Sequence, residues 1–120
     1  MEQRLSKEQR LRIVELFVIG MYLSGRIGSP EDRSIKQWIT TGDFESDYER
    51  DVAMDDLFTS ASSAAASEAS WEGKVEASLE VFPSTEERRL VFDSLRDFLS
   101  DSDAPKVKGF LDGIKSTFGL

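Results

Sequence analysis

The 120-residue chain is expected to fold as an all-α protein. Two capping boxes, a Ser-Pro helix start and several apolar stripes at 3.6-residue spacing predict helices. Sustained period-two alternation and β-hairpin dipeptides are both missing. The expected form is a compact bundle of six or seven helices. All of residues 1–120 belong to one domain, close to the commonest single-domain size.

Ser6-Lys-Glu-Gln9 is the first capping box: the Ser hydroxyl satisfies an orphan N–H and the Gln reaches back. Leu11, Val14, Phe17, Val18, Met21 and Tyr22 follow at helical spacing, and Ile13, Leu16, Ile19 and Leu23 fill the other sides. A helix apolar over most of its girth belongs at the centre of a bundle. Gly25 and Gly28 end it. Ser29-Pro30-Glu31-Asp32 starts a second helix, with Pro where its missing N–H costs nothing and acids where the helix dipole favours them. Ile35, Trp38 and Ile39 mark its buried side, and Gly42 closes it.

Phe44, Tyr48, Val52, Met54, Leu57 and Phe58 predict one helix or two short ones over residues 43–58. Residues 59–70, with five Ser and five Ala, read either as a linker or as a small-faced helix. Trp71, Val75, Leu79 and Phe82 recur at intervals of four, four and three. They favour a helix from near Ala64 to Phe82, stopped by Pro83. Ser84-Thr-Glu-Glu87 is the second capping box, and Val91, Phe92, Leu95, Phe98 and Leu99 form its stripe. The last helix follows Pro105, with Val107, Phe110, Leu111, Ile114 and Phe118 in register. The expected core is Phe17, Val18, Met21, Ile35, Ile39, Val75, Leu79, Phe92, Leu95, Leu99, Phe110, Leu111 and Ile114. Trp38 and Trp71 lie on apolar stripes and are also expected to pack inside.

Composition narrows the chemistry. The chain has no Cys and no His. Disulfides, thiolate nucleophiles and Ser-His-Asp triads are excluded, and zinc is disfavoured. Gly-rich phosphate loops are also missing. The expectation is therefore a non-enzymatic protein. Net charge is −8, a surface that repels nucleic acid and anionic lipid. Residues 40–104 carry five basic against seventeen acidic side chains, while both ends are slightly basic. Arg88-Arg89 is expected to serve ion pairing. The longest apolar stretch, Leu16 to Leu23, falls far short of the roughly 20 residues of a span. The basic residues before it imitate a signal peptide, but Glu8 and Glu15 fit a helix start better. A cytoplasmic protein, monomeric or homodimeric and acting through an unknown protein partner, is expected.

Two acidic groups invite a cation reading. Asp43, Glu45, Asp47, Glu49, Asp51, Asp55 and Asp56 alternate like a calcium loop. Counting from Asp43, however, Tyr48 and Met54 stand where an EF-hand needs Gly and a carboxylate. On a helix, alternate carboxylates splay apart, so a solvated face is the better reading.

The second group comes from an internal echo. Leu23-Ser24, a loop, Pro30, Ile35 and Ile39 are matched by Leu99-Ser100, a loop, Pro105, Phe110 and Ile114. Two helical hairpins facing each other around the first helix are implied. This layout resembles the TerB-like (tellurite-resistance) family. The likeness is carried by residues 22–32, by the turn Leu99-Ser-Asp101-Ser-Asp103-Ala-Pro105, and by the closing run from Phe110 to Leu120. Ser24 and Ser102 stand where the family pattern has Asp and Gly, and Lys106 where it has an acid. The resemblance implies an accessory domain linked to stress or tellurite resistance through protein contacts. It also implies acidic turns that meet divalent cations or partners. Glu31, Asp32, Asp101 and Asp103 are the residues that would hold calcium or magnesium, with helix capping as their other reading. No other cofactor is expected.

Overall fold

The computed structural model describes residues 6–25, 45–100 and 102–120. Among them five helices form: α1 (Lys7–Ser24), α2 (Asp47–Ala65), α3 (Glu68–Val81), α4 (Thr85–Phe98) and α5 (Pro105–Phe118). No strand occurs among the described residues. The helix expected after Pro30 lies outside them, together with Ile35, Trp38, Ile39 and the first of the two hairpins.

Helix α1 is the axis of the bundle. Every residue from Ile13 to Met21 is buried, and α1 packs against each of the other four helices. Its start is the expected capping box: Ser6 Oγ accepts from the Gln9 N–H at 3.1 Å, and Gln9 Oε1 accepts from the Ser6 N–H at 2.9 Å. Its end is Gly25, whose φ of 82° an L side chain adopts only with strain.

The region after residue 43 corrects the expected boundaries. Residues 47–65 form one helix, so the serine–alanine run continues α2 instead of opening the next helix near Ala64. The break comes at Ser67, whose extended backbone lets its hydroxyl accept the Ser70 N–H at 3.2 Å. That satisfies an orphan donor of α3, and the apolar stripe from Trp71 begins one turn later. Tyr48 and Val52 also prove to be markers of the helix without being its buried face. They stay exposed, while Met54, Ala61 and Ala64 are buried and Leu57 and Phe58 partly so. Five helices thus stand among the described residues, against the six or seven expected for the whole chain, one of which falls outside them.

Chain reversals are fastened by side chains. At the α3–α4 corner, the Arg88 guanidinium donates to the carbonyls of Phe82 (2.7 Å) and Leu79 (3.3 Å), which α3 leaves without intrahelical partners. Arg88 thus closes a helix end, where the sequence suggested an ion pair. Ser84 and Glu87 form the second capping box as expected.

The core joins all five helices. Phe17, Val18, Met21, Val75, Leu95, Leu99, Phe110 and Ile114 are buried as expected, whereas Leu79, Phe92 and Leu111 are only half-buried. Each of those three sits at the edge of its stripe, where the helix turns toward solvent. Phe17 of α1 stacks on Phe98 of α4 with ring centroids 4.4 Å apart. Trp71 meets Phe110 edge to face at 5.2 Å. Two glycines permit close approach. A Cβ at Gly20 would stand 2.7 Å from Leu99 Cδ1, and one at Gly113 would stand 3.0 Å from the Trp71 ring.

Candidate functional site

The cation set expected from the sequence is not brought together among the described residues. Glu31, Asp32 and Asp101 lie outside them. Asp103 is described, and it is exposed at the turn before α5. The acidic run on α2 behaves as a solvated face. Asp47, Glu49, Asp51, Asp55 and Asp56 are all exposed, and Asp43 lies outside the described residues. Arg50 reaches Asp47 at 3.7 Å and Asp51 at 3.6 Å, contacts worth little in water. Among the described residues, no group of three or more acids is close enough to hold a metal ion. None of the described helices is long and apolar enough to cross a membrane.

Two polar constellations sit at helix contacts instead. The first is Glu15, buried in the middle of α1. Its Oε1 lies 2.9 Å from Arg12 Nη1 one turn earlier, and its Oε2 lies 3.6 Å from Lys74 Nζ of α3. A carboxylate held out of water needs such partners, and both cations keep one side in solvent. Sequence periodicity contained the clue, because Glu15 interrupts an apolar girth with Arg12 at i−3. The second is Gln9. Its Nε2 donates to the Val81 carbonyl at 2.9 Å and to Glu87 Oε2 at 2.6 Å, tying the start of α1 to the α3–α4 corner. Burial alone would raise the Glu87 pKa. Hydrogen bonds from Gln9 and from the Ser84 hydroxyl and N–H outweigh it and hold the carboxyl below its ordinary value.

Two of the concavities between the helices are largely apolar. One lies between α1 and α2 over Leu11, Ala53 and Leu57, and is ringed by charges of both signs: Lys7, Glu8, Arg12, Glu15 and Asp56. The other, of about 400 Å³, lies where α2 ends, α3 and α5 begin and α1 finishes. Leu23, Ala65, Trp71 and Pro105 form its apolar lining, Glu68 and Lys106 stand on its α3 and α5 sides, and Gly109 leaves its α5 wall low. Trp71 is only 6% exposed, as its place on an apolar stripe predicted, and it lines this groove. A volume of this size suits a few side chains of a ligand. The sequence hid the groove because its walls come from four helix ends far apart in the chain.

No known protein family, curated protein or solved structure matches the chain. The TerB-like likeness therefore rests on the layout and turn motifs of the sequence.

Proposed function

We propose that the chain is a non-enzymatic, TerB-like accessory domain that binds a protein partner in the groove where α3 and α5 begin. The observation that carries this reading is the groove itself: an apolar lining that includes Trp71, bordered by one acid and one base. Buried aromatic anchors beside polar rims are what protein interfaces use to hold a partner side chain. The absence of Cys and His from the sequence leaves little for nucleophilic or general-base chemistry near neutral pH. A role in stress or tellurite resistance follows from the family likeness and belongs to the same proposal.

Gly109 supplies the test. A Cβ there meets nothing within 4 Å, so Gly109→Leu adds bulk to the groove wall without disturbing the core. Leu is also a better helix former than Gly, so the fold is expected to hold or gain stability. A photoreactive amino acid at position 106 is expected to cross-link one discrete protein in the native host. The same group at Arg89, on the exposed side of α4, is not. Adding Gly109→Leu should abolish the cross-link at unchanged melting temperature. A cross-link that persists in that variant would sink the groove as the docking site.

A further inference from the structure

The outward face of α3 carries a pattern that neither the core nor the groove uses. Glu68, Glu72, Glu76 and Glu80 recur at every fourth residue, and all four are exposed. Beside them runs a second row at the same interval, Ala69, Gly73 and Ala77, also exposed. The helix buries Trp71, Val75 and Ser78 on its other side. Two parallel rows, one anionic and one small, are thus left facing solvent.

The glutamate row differs from the solvated acids of α2. Asp47 and Glu49 sit in the first turn, where the helix dipole favours them, and Arg50 reaches Asp47 and Asp51. Among the described residues, Glu72, Glu76 and Glu80 have no ion-pair or hydrogen-bond partner. Lys74, the one base of α3, turns to the buried Glu15 instead. The last turn of α3 holds Glu80 and no base, the reverse of what the dipole favours. Carboxylates one turn apart on a helix repel, and three such steps run from Glu68 to Glu80. The row therefore weakens the free helix, and positive charge laid along it would relieve that strain.

The small row indicates the shape of the group that brings this charge. Residues four apart form the ridges and grooves by which helices pack, and a row without large side chains lets a second helix come close. A Cβ at Gly73 meets nothing within 4 Å, so the space above the row is open. A helix with a base at every fourth residue repeats at the same rise of about 6 Å as the glutamates, so the two sets of charges meet in register. We infer that α3 docks a helix of a partner protein along Ala69, Gly73 and Ala77, with a row of lysines or arginines against Glu72, Glu76 and Glu80. A second copy presenting the same face would set glutamate against glutamate, and nucleic acid is repelled for the same reason. The inference does not depend on the groove, with which this face shares only Glu68.

The experiment uses the full chain, labelled with ¹⁵N, and a capped peptide of five Lys-Ala-Ala-Ala repeats. Two capped controls accompany it: an isomer with its lysines at alternate positions, which splay around a helix, and the Glu-Ala-Ala-Ala counterpart. The lysine-row peptide is expected to shift the amides of Gly73 and Ala77, and the glutamate peptide is not. Each matched charge pair should multiply affinity about twofold, so three pairs should favour the lysine row over its isomer about eightfold. Glu76→Gln should lower that affinity about twofold while raising the melting temperature of the free protein by about 2–4 °C, because it removes two repulsions. A merely structural role would not move the two readouts in opposite directions. Gly73→Leu, which fills the open row without touching the core, should abolish the shifts. Gly109→Leu, which blocks the groove, should leave them unchanged. Absence of shifts, equal binding of the two lysine peptides, or binding lost in Gly109→Leu and kept in Gly73→Leu would overturn the inference. A lower melting temperature for Glu76→Gln would overturn it too, as would the same shifts on concentrating the protein alone, which would make a second copy the occupant. The cross-linking experiment judges the groove separately.

Discussion

Replacing Gly20 by Ala tests how closely α1 and α4 are packed, because the same change elsewhere in the chain should have the opposite sign. In a helix interior, Gly→Ala is worth about 1 kcal/mol of added stability from propensity. At Gly73, on the exposed side of α3, a Cβ meets nothing within 4 Å, so the full gain is expected. At Gly20 the new Cβ would lie 2.7 Å from Leu99 Cδ1, 3.0 Å from Cδ2 and 3.3 Å from Cγ. Carbon atoms in packed cores prefer about 3.5–4.0 Å. Leu99 must retreat by roughly 1 Å, yet it is only 3% exposed and has core on its other sides. Overpacking of this kind costs about 1–3 kcal/mol, leaving a net loss of about 0–2 kcal/mol. For 120 residues the unfolding entropy is about 0.25 kcal/mol/K, so each kcal/mol moves the melting temperature by about 4 °C. Gly73→Ala should therefore melt about 4 °C above the parent, and Gly20→Ala level with it or several degrees below. Calorimetry on both proteins reads this directly. A double mutant with Leu99→Ala isolates the contact: the methyl at position 20 should offset part of the Leu99 cavity, giving a coupling of at least about 0.5 kcal/mol. If Gly20→Ala stabilised as much as Gly73→Ala, or the two changes simply added, the close approach of α1 to Leu99 would be refuted.

Two further outcomes are expected. Phe17→Ala or Leu95→Ala, both at fully buried positions, should cost about 2–5 kcal/mol in urea unfolding, a large share of a typical domain's total. Near-neutral effects at both would displace the core. Glu87→Gln should destabilise by about 1 kcal/mol at neutral pH, the usual worth of a cap contact. The folded-state pKa of Glu87 is lowered, so its contribution is present above the unfolded carboxyl pKa and lost as pH falls through the folded value. The gap between parent and variant should accordingly close in acid, and a gap that widened toward low pH would contradict the Gln9–Glu87 contact.

Much of the architecture is written in local signals. The capping boxes at Ser6 and Ser84, the Gly25 stop, Pro105 at the head of α5 and the girth of α1 are all short-range patterns. Each sets the backbone of its own turn, and each appears in the structure where the residues place it. The break between α2 and α3 was harder to read, because alanine and serine at 59–70 are compatible with helix throughout. Ser67, rather than composition, marks the boundary, by taking an extended backbone and capping Ser70. The role of Arg88 depended on where α3 left carbonyls unpaired, and the state of Glu15 depended on Lys74 arriving from another helix. The groove beside Trp71 has the least local origin of all. Leu23, Ala65, Trp71 and Lys106 are neighbours only because four helix ends meet around α1. Helix starts and buried faces follow from contacts within a few residues, so they could be read in order along the chain. The groove's shape arises from contacts between distant segments, and these exist only once the core has closed.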